Sequence, residues 1–197
     1  MTPEQVARDI FQRHQDAVVA AAETQTDALV GAAQRVVRCL LEEGRIFACG
    51  TGCSAANAQH LTVRLLNRLE RDRPGLPVFC LSDSAPLLTA LAAEAGGGDI
   101  FARPLRALGR AGDLLIVFSS AGTAPGLVQT VLGAHERDMN VIAFTGHEGG
   151  DVGRVLLAND IEVRIPVHSP VRTDEVHLLL LNVLCELTER ELFGDAC

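Results

Sequence analysis

The sequence predicts an α/β fold built on a parallel sheet covered on both faces, and three observations predict it. From residue 45 onward, short apolar runs alternate with helical patterns. The runs are continuously apolar rather than alternating, as strands buried on both faces must be. Two Gly/Ser-rich turns, at 50–54 and 119–123, each join the end of such a run to the start of a helix. The strand candidates are 46–49, 77–81, 113–119, 140–144 and 161–165, and helical patterns fall at 54–71, 85–94, 101–108, 123–137 and 173–193.

Ahead of the first strand, Val6, Ile10, Phe11, Val18, Val19 and Ala22 follow a helical period, and residues 28–41 do so again. Thr26-Asp27 reads as a restart and Gly44 as a stop, which predicts two helices over 1–43 within the same domain as residues 44–197. The first of them, rich in alanine and valine, suits a contact between subunits. Gly96-Gly97-Gly98 reads as a loop and Asp99 as the cap of the next helix.

A chain of 197 residues, 48% hydrophobic, fits one domain with a sizeable core. Its formal net charge of −8 argues against a basic nucleic-acid face. No apolar run is long enough to cross a bilayer, and Met1 to Arg13 mixes acids and bases rather than resembling a leader. Six cysteines (Cys39, Cys49, Cys53, Cys80, Cys185, Cys197) are scattered, four of them in apolar segments, which suits reduced thiols in the cytoplasm. All 17 basic residues are arginine. The lack of lysine excludes a Schiff-base lysine and a Walker-type loop, both of which need the ammonium group.

In a parallel sheet, ligands bind at the carboxyl ends of strands where the strand order reverses. Gly50, Thr51, Gly52 and Ser54 form one such turn, with Ser54 at the expected N-cap of the following helix. Ser119, Ser120 and Thr123 supply hydroxyls in the second. Together they suit a phosphate held between two helix N-termini, the plain alternative being two local serine turns with caps. Gly50 to Ala55 also fits a dinucleotide fingerprint, but Asp83 lies too far along for its acidic partner. Cys49 and Cys53 are spaced like half a zinc site with no second pair to answer them. His60 is the one weak metal candidate, with a phosphate-facing donor or a satisfied helix histidine as alternatives. His177 reads as part of a solvated face, as do Arg64, Arg68, Arg71 and Arg73 with Glu70 and Asp72, a grip on an anion being the alternative for Arg64 alone.

Cys49-Gly50-Thr51-Gly52-Cys53-Ser54, Asn57-Ala58-Gln59-His60, Asn67-Arg68, Arg73-Pro74, Arg106-Ala107-Leu108-Gly109 and Asp160 to Pro166, taken together and in order, resemble the sugar isomerase (SIS) domain family. Within it they resemble the phosphoheptose isomerase group, and most of all its DnaA initiator-associating branch. The resemblance implies a three-layer α/β/α sandwich with a five-stranded parallel sheet and a homotetramer with clefts between subunits. It also implies a phosphosugar-binding loop. In the isomerases a glutamate follows the helix histidine by one turn, and a glutamine and a histidine on the last helix complete a metal or acid–base site. Those three positions hold Arg64, Asp174 and Asn182 here.

Arginine is always protonated and asparagine does not shuttle protons, so the isomerase equipment reads as lost and no cofactor is expected. The expected function is therefore regulatory. The chain would bind the replication initiator DnaA and retain some capacity for a sugar phosphate, without touching nucleic acid or membrane. Leu192-Phe193 reads as a protein-contact anchor and resembles the terminal pair of the initiator-associating proteins, the plain alternative being a helix end tucked on the core. The alternative is a zinc-dependent isomerase converting sedoheptulose 7-phosphate to D-glycero-D-manno-heptose 7-phosphate.

Overall fold

The computed structural model describes residues 1–95 and 98–194; Gly96, Gly97 and residues 195–197, including Cys197, lie outside the described residues. The sheet has five strands, all parallel. β1 (Ile46–Gly50) lies between β2 (Val78–Cys80) and β3 (Leu114–Ser119), and β4 (Asn140–Gly146) and β5 (Ile161–Ile165) follow outward. The order β2-β1-β3-β4-β5 reverses direction between β1 and β3, so the switch point falls at the two Gly/Ser-rich turns.

Alternate residues of each strand feed two cores. Ile46, Ala48, Ile116, Phe118, Ile142 and Phe144 face one side. There they meet α1 (Pro3–Leu41), α2 (Cys53–Leu66) and α7 (Pro170–Phe193). Phe47, Cys49, Leu115, Val117, Val141 and Ala143 face the other, under α4 (Ala102–Leu108), α5 (Pro125–His135) and α6 (Gly150–Arg154). A period of two that is apolar on both faces explains why the strands read as unbroken runs. α3 (Ala85–Ala95) follows β2 and buries Leu91.

The sequence reading needs correction at the N-terminus. One helix of 39 residues stands where two were expected. Thr24 and Thr26 return their hydroxyls to the carbonyls of Ala20 and Ala22 at 2.7 and 2.6 Å, so neither caps a new helix. Thr2 caps α1, with Gln5 completing a capping box. α1 joins the core from Ala17 onward and is tied to α7 by His14 Nδ1 on the Glu175 carboxylate at 2.8 Å. Its first turns leave Val6, Ile10 and Phe11 exposed.

Asp99 does not cap α4, whose N-cap is Phe101; its carboxylate binds Arg106 instead. α2 stops at Leu66 rather than running to residue 71, and the short α6 went unseen because five residues show no periodicity. The arginine run is not one solvated face either. Arg68 pairs with Asp72 on the surface, but Arg73 is buried and bound to Glu189 at 2.8 Å. It also donates to the carbonyls of Arg64, Leu65, Asn67 and Pro74, closing the C-terminus of α2.

His177 is a further correction. The ring is fully buried rather than solvated, with Nε2 at 3.0 Å from the Thr145 carbonyl and its edge toward Phe118 and Phe144. Its face of α7 lies on β4, and the isolated period could not reveal that. Since Nε2 faces a carbonyl, it carries the proton.

Two predictions follow from these buried groups. Burial pushes the His177 imidazole down to about 4, with the Thr145 hydrogen bond opposing. The unfolded ring takes a proton near 6.5 that the folded ring refuses. Its contribution is therefore complete above about pH 6.5 and is lost, by about 3 kcal/mol, as pH falls toward 4. Urea unfolding across that range is expected to give a flatter pH profile for His177→Gln than for the native chain. Arg73→Ala strands the Glu189 carboxylate and is expected to cost about 3–5 kcal/mol, while Arg73→Leu with Glu189→Leu recovers only the part due to the stranded charge, since the α2 carbonyls lose their donor in both. Equal losses in the single and double variants would contradict the pairing.

Candidate functional site

The site is built at the carboxyl ends of β1 and β3 and along the seam between α2 and α7. Gly50 ends β1 with its Cα pressed against the backbone of Ser54, where any Cβ would collide. Gly52, at φ +59, opens α2 and is its N-cap. Ser54 is thus one residue inside the helix and does not cap it, a correction to the sequence reading. Its buried hydroxyl donates to Asp174 Oδ1 at 2.6 Å and accepts from the Ser120 amide at 3.3 Å. That one hydroxyl joins both turns to α7.

The second turn is similarly local. Ser119 Oγ accepts the Gly122 amide at 3.1 Å, and Gly122 sits at φ +69 against the Gly149 backbone. α5 begins at Pro125 with Ala124 as a cap that contributes no side-chain bond, so Thr123 is free of that duty and exposed. Thr51 is exposed as well. The structure therefore brings together Gly50, Gly52, Ser54, Ser119 and Ser120, with Thr51 and Thr123 at the rim. Behind this cradle Thr173 Oγ1 is buried with no hydrogen-bond partner, near Gly146, which also abuts the Ser120 carbonyl. Thr173 escaped the sequence reading because nothing in its neighbourhood marks it.

α2 and α7 run side by side in the same direction, as their cross-contacts show. Ser54 and Asn57 reach Asp174, His60 reaches Asn182, and the chain past α2 reaches Glu189. His60 Nε2 lies 3.2 Å from Asn182 Oδ1 and accepts from Arg64 Nε, also at 3.2 Å. One nitrogen cannot serve both at once. It carries a proton to donate to Asn182 and a lone pair to accept from Arg64, so the contacts belong to alternative tautomers. Arg64 thus lies one helical turn beyond His60 and leans back over it, as helical side chains do.

The consequence for a metal ion is direct. A guanidinium on His60 Nε2 competes with any cation for that nitrogen, because like charges repel. No cluster of three or more His, Cys, Asp or Glu that could hold a metal is found among the described residues. Cys49 is buried and Cys53 exposed on opposite sides of the turn, so their spacing brings no shared site. Burial drives the Cys49 thiol upward, which keeps it protonated and inert.

At the far end of α7, Leu192 is half-buried against the core and Phe193 is exposed. Arg71 holds that end. It donates to the carbonyls of Phe193 and Gly194 and lies over the Phe193 ring at 5.7 Å.

Comparison with known proteins agrees with this geometry. The SIS domain profile matches residues 11–146. The phosphoheptose isomerase of Chromohalobacter salexigens is 42% identical over 94% of each chain. The DnaA initiator-associating protein DiaA of Klebsiella pneumoniae is 43% identical over 89% of each. Among solved structures, a phosphoheptose isomerase from Francisella tularensis superposes with a TM-score of 0.94 at 33% identity, covering 96% of this chain and all of that one. This chain belongs to the SIS domain family.

Proposed function

We propose that this protein is a cytoplasmic regulator of the initiator-associating type, which binds DnaA on a sugar-phosphate-binding scaffold and has given up isomerisation. The observation that carries this reading is the Arg64 guanidinium on His60 Nε2. Aldose–ketose isomerisation moves a proton between adjacent carbons and needs a positioned base and acid. At this place in the cleft there is instead a permanent cation, with Asn182 across from it. The Ser54, Ser119 and Ser120 turns keep the means to hold a phosphate. Phe193, fixed by Arg71, supplies an aromatic anchor of the kind that partner surfaces use, beside the half-buried Leu192. The exposed apolar residues of the first turns of α1 suit a homotetramer, which would present several such anchors at once.

A second reading has specific support. Relatives named phosphoheptose isomerase, 42% and 39% identical, span 94% and 99% of the chain, and His60 is present. Under it the chain would convert sedoheptulose 7-phosphate with zinc, using an acid and base from elsewhere in the assembly.

One pair of measurements separates them. With sedoheptulose 7-phosphate and added zinc, the purified protein is expected to show no turnover above background. Immobilised DnaA is expected to capture it, and Phe193→Ala to weaken capture about tenfold or more. Zinc-dependent turnover abolished by His60→Ala, with no capture, would overturn the regulatory reading.

A further inference from the structure

Two charges in the cleft have no partner of opposite sign among the described residues. Asp174 spends one carboxylate oxygen on Ser54 and meets no cation. Arg64 spends Nε on His60 and meets no carboxylate, which leaves both terminal nitrogens of its guanidinium unpaired. Arg64 is half-buried, on the seam between α2 and α7, where a charge without a counterion is costly. Most other arginines of the chain are answered. Arg45, Arg68, Arg73, Arg103, Arg106, Arg154 and Arg172 all reach carboxylates. An end-on guanidinium face with two free N–H₂ groups matches the two oxygens of a carboxylate.

The spacing supplies the other half. Ser54 and His60 are six residues apart on α2, about 9 Å of helix rise, and Arg64 leans back onto His60. The guanidinium therefore stands about one extended sugar chain from the Ser54–Ser120 cradle. At the cradle end, the Ser119–Ser120 turn favours an anion, but Asp174, which already takes the Ser54 proton, opposes it. A sugar phosphate with a neutral far end gains little there. A second negative group at the far end would gain the Arg64 contact and offset what Asp174 takes away.

Resting on the sugar-phosphate-binding reading above, we infer that the cleft selects a phosphorylated sugar acid. Its phosphate lies at the Ser119–Ser120 turn beside the Ser54–Asp174 bond, and its carboxylate lies on Arg64. The inference concerns what the cleft recognises and needs no chemical step.

Titration calorimetry on the full chain, with 6-phosphogluconate and glucose 6-phosphate as probes, tests it. The native protein is expected to bind the acid at least about tenfold more tightly than the aldose. Arg64→Gln is expected to abolish that preference, and Arg64→Lys to keep part of it. Circular dichroism melting of each variant checks that the fold survives. Equal affinities for the two probes in the native protein, or a preference that persists in Arg64→Gln, would overturn the inference alone. No binding of either probe would remove the sugar-phosphate reading as well. A carboxylate supplied to Arg64 by a second copy of the chain would show itself as equal affinities, and so counts against it.

Discussion

The contact on which the rest depends is the polar seam between α2 and α7. Most of the helix packing in this protein is apolar and non-directional, and it would tolerate small slides. The seam does not. Ser54 on Asp174, Asn57 on the Asp174 carbonyl, His60 on Asn182 and Arg73 on Glu189 fix the axial register of the two helices over their whole shared length. Buried hydrogen bonds of this kind contribute modest net stability but are expensive to break, so they select one arrangement over its neighbours.

The same register explains where the site is and what it lacks. β1 and β3 are paired neighbours whose following helices, α2 and α5, leave for opposite faces of the sheet, so the turns between open a crevice at the switch point. Ser54 bridges that crevice by accepting the Ser120 amide while donating to α7. Further along the seam, the pairing that a proton relay would need is replaced by a cation, an imidazole and an amide. The carboxylate that is present, Asp174, sits at the phosphate end rather than beside His60. On that arrangement rest the regulatory reading and the doubly anionic ligand proposed above.

Much of this was legible in the residues, for identifiable reasons. The strands were readable because both faces are buried, and the turns because Gly50 and Gly52 serve needs that other residues fail to meet. The importance of Arg64, Asp174 and Asn182 came from setting the chain against the family pattern, since their spacing alone carries no sign of a shared cleft. Other features were hidden. Thr26-Asp27 looks like a helix start, but a threonine hydroxyl can be satisfied inside a helix by the carbonyl four residues back. Ser54 looks like a cap, yet a glycine at positive φ begins the helix earlier and frees the hydroxyl for a tertiary bond. His177 and Arg73 looked solvated because titratable residues are usually exposed, and only their neighbours from distant segments reveal burial.

The central claim is that the Arg64 guanidinium takes the place of a metal ion. Zinc titration of the native chain beside the double variant Arg64→Glu/Asn182→His tests it most directly. The account predicts no stoichiometric zinc on the native protein and one tightly held ion per chain in the double variant, removable by a chelator. Stoichiometric zinc on the native chain that His60→Ala abolishes, or no gain in the double variant with its fold intact, would contradict it.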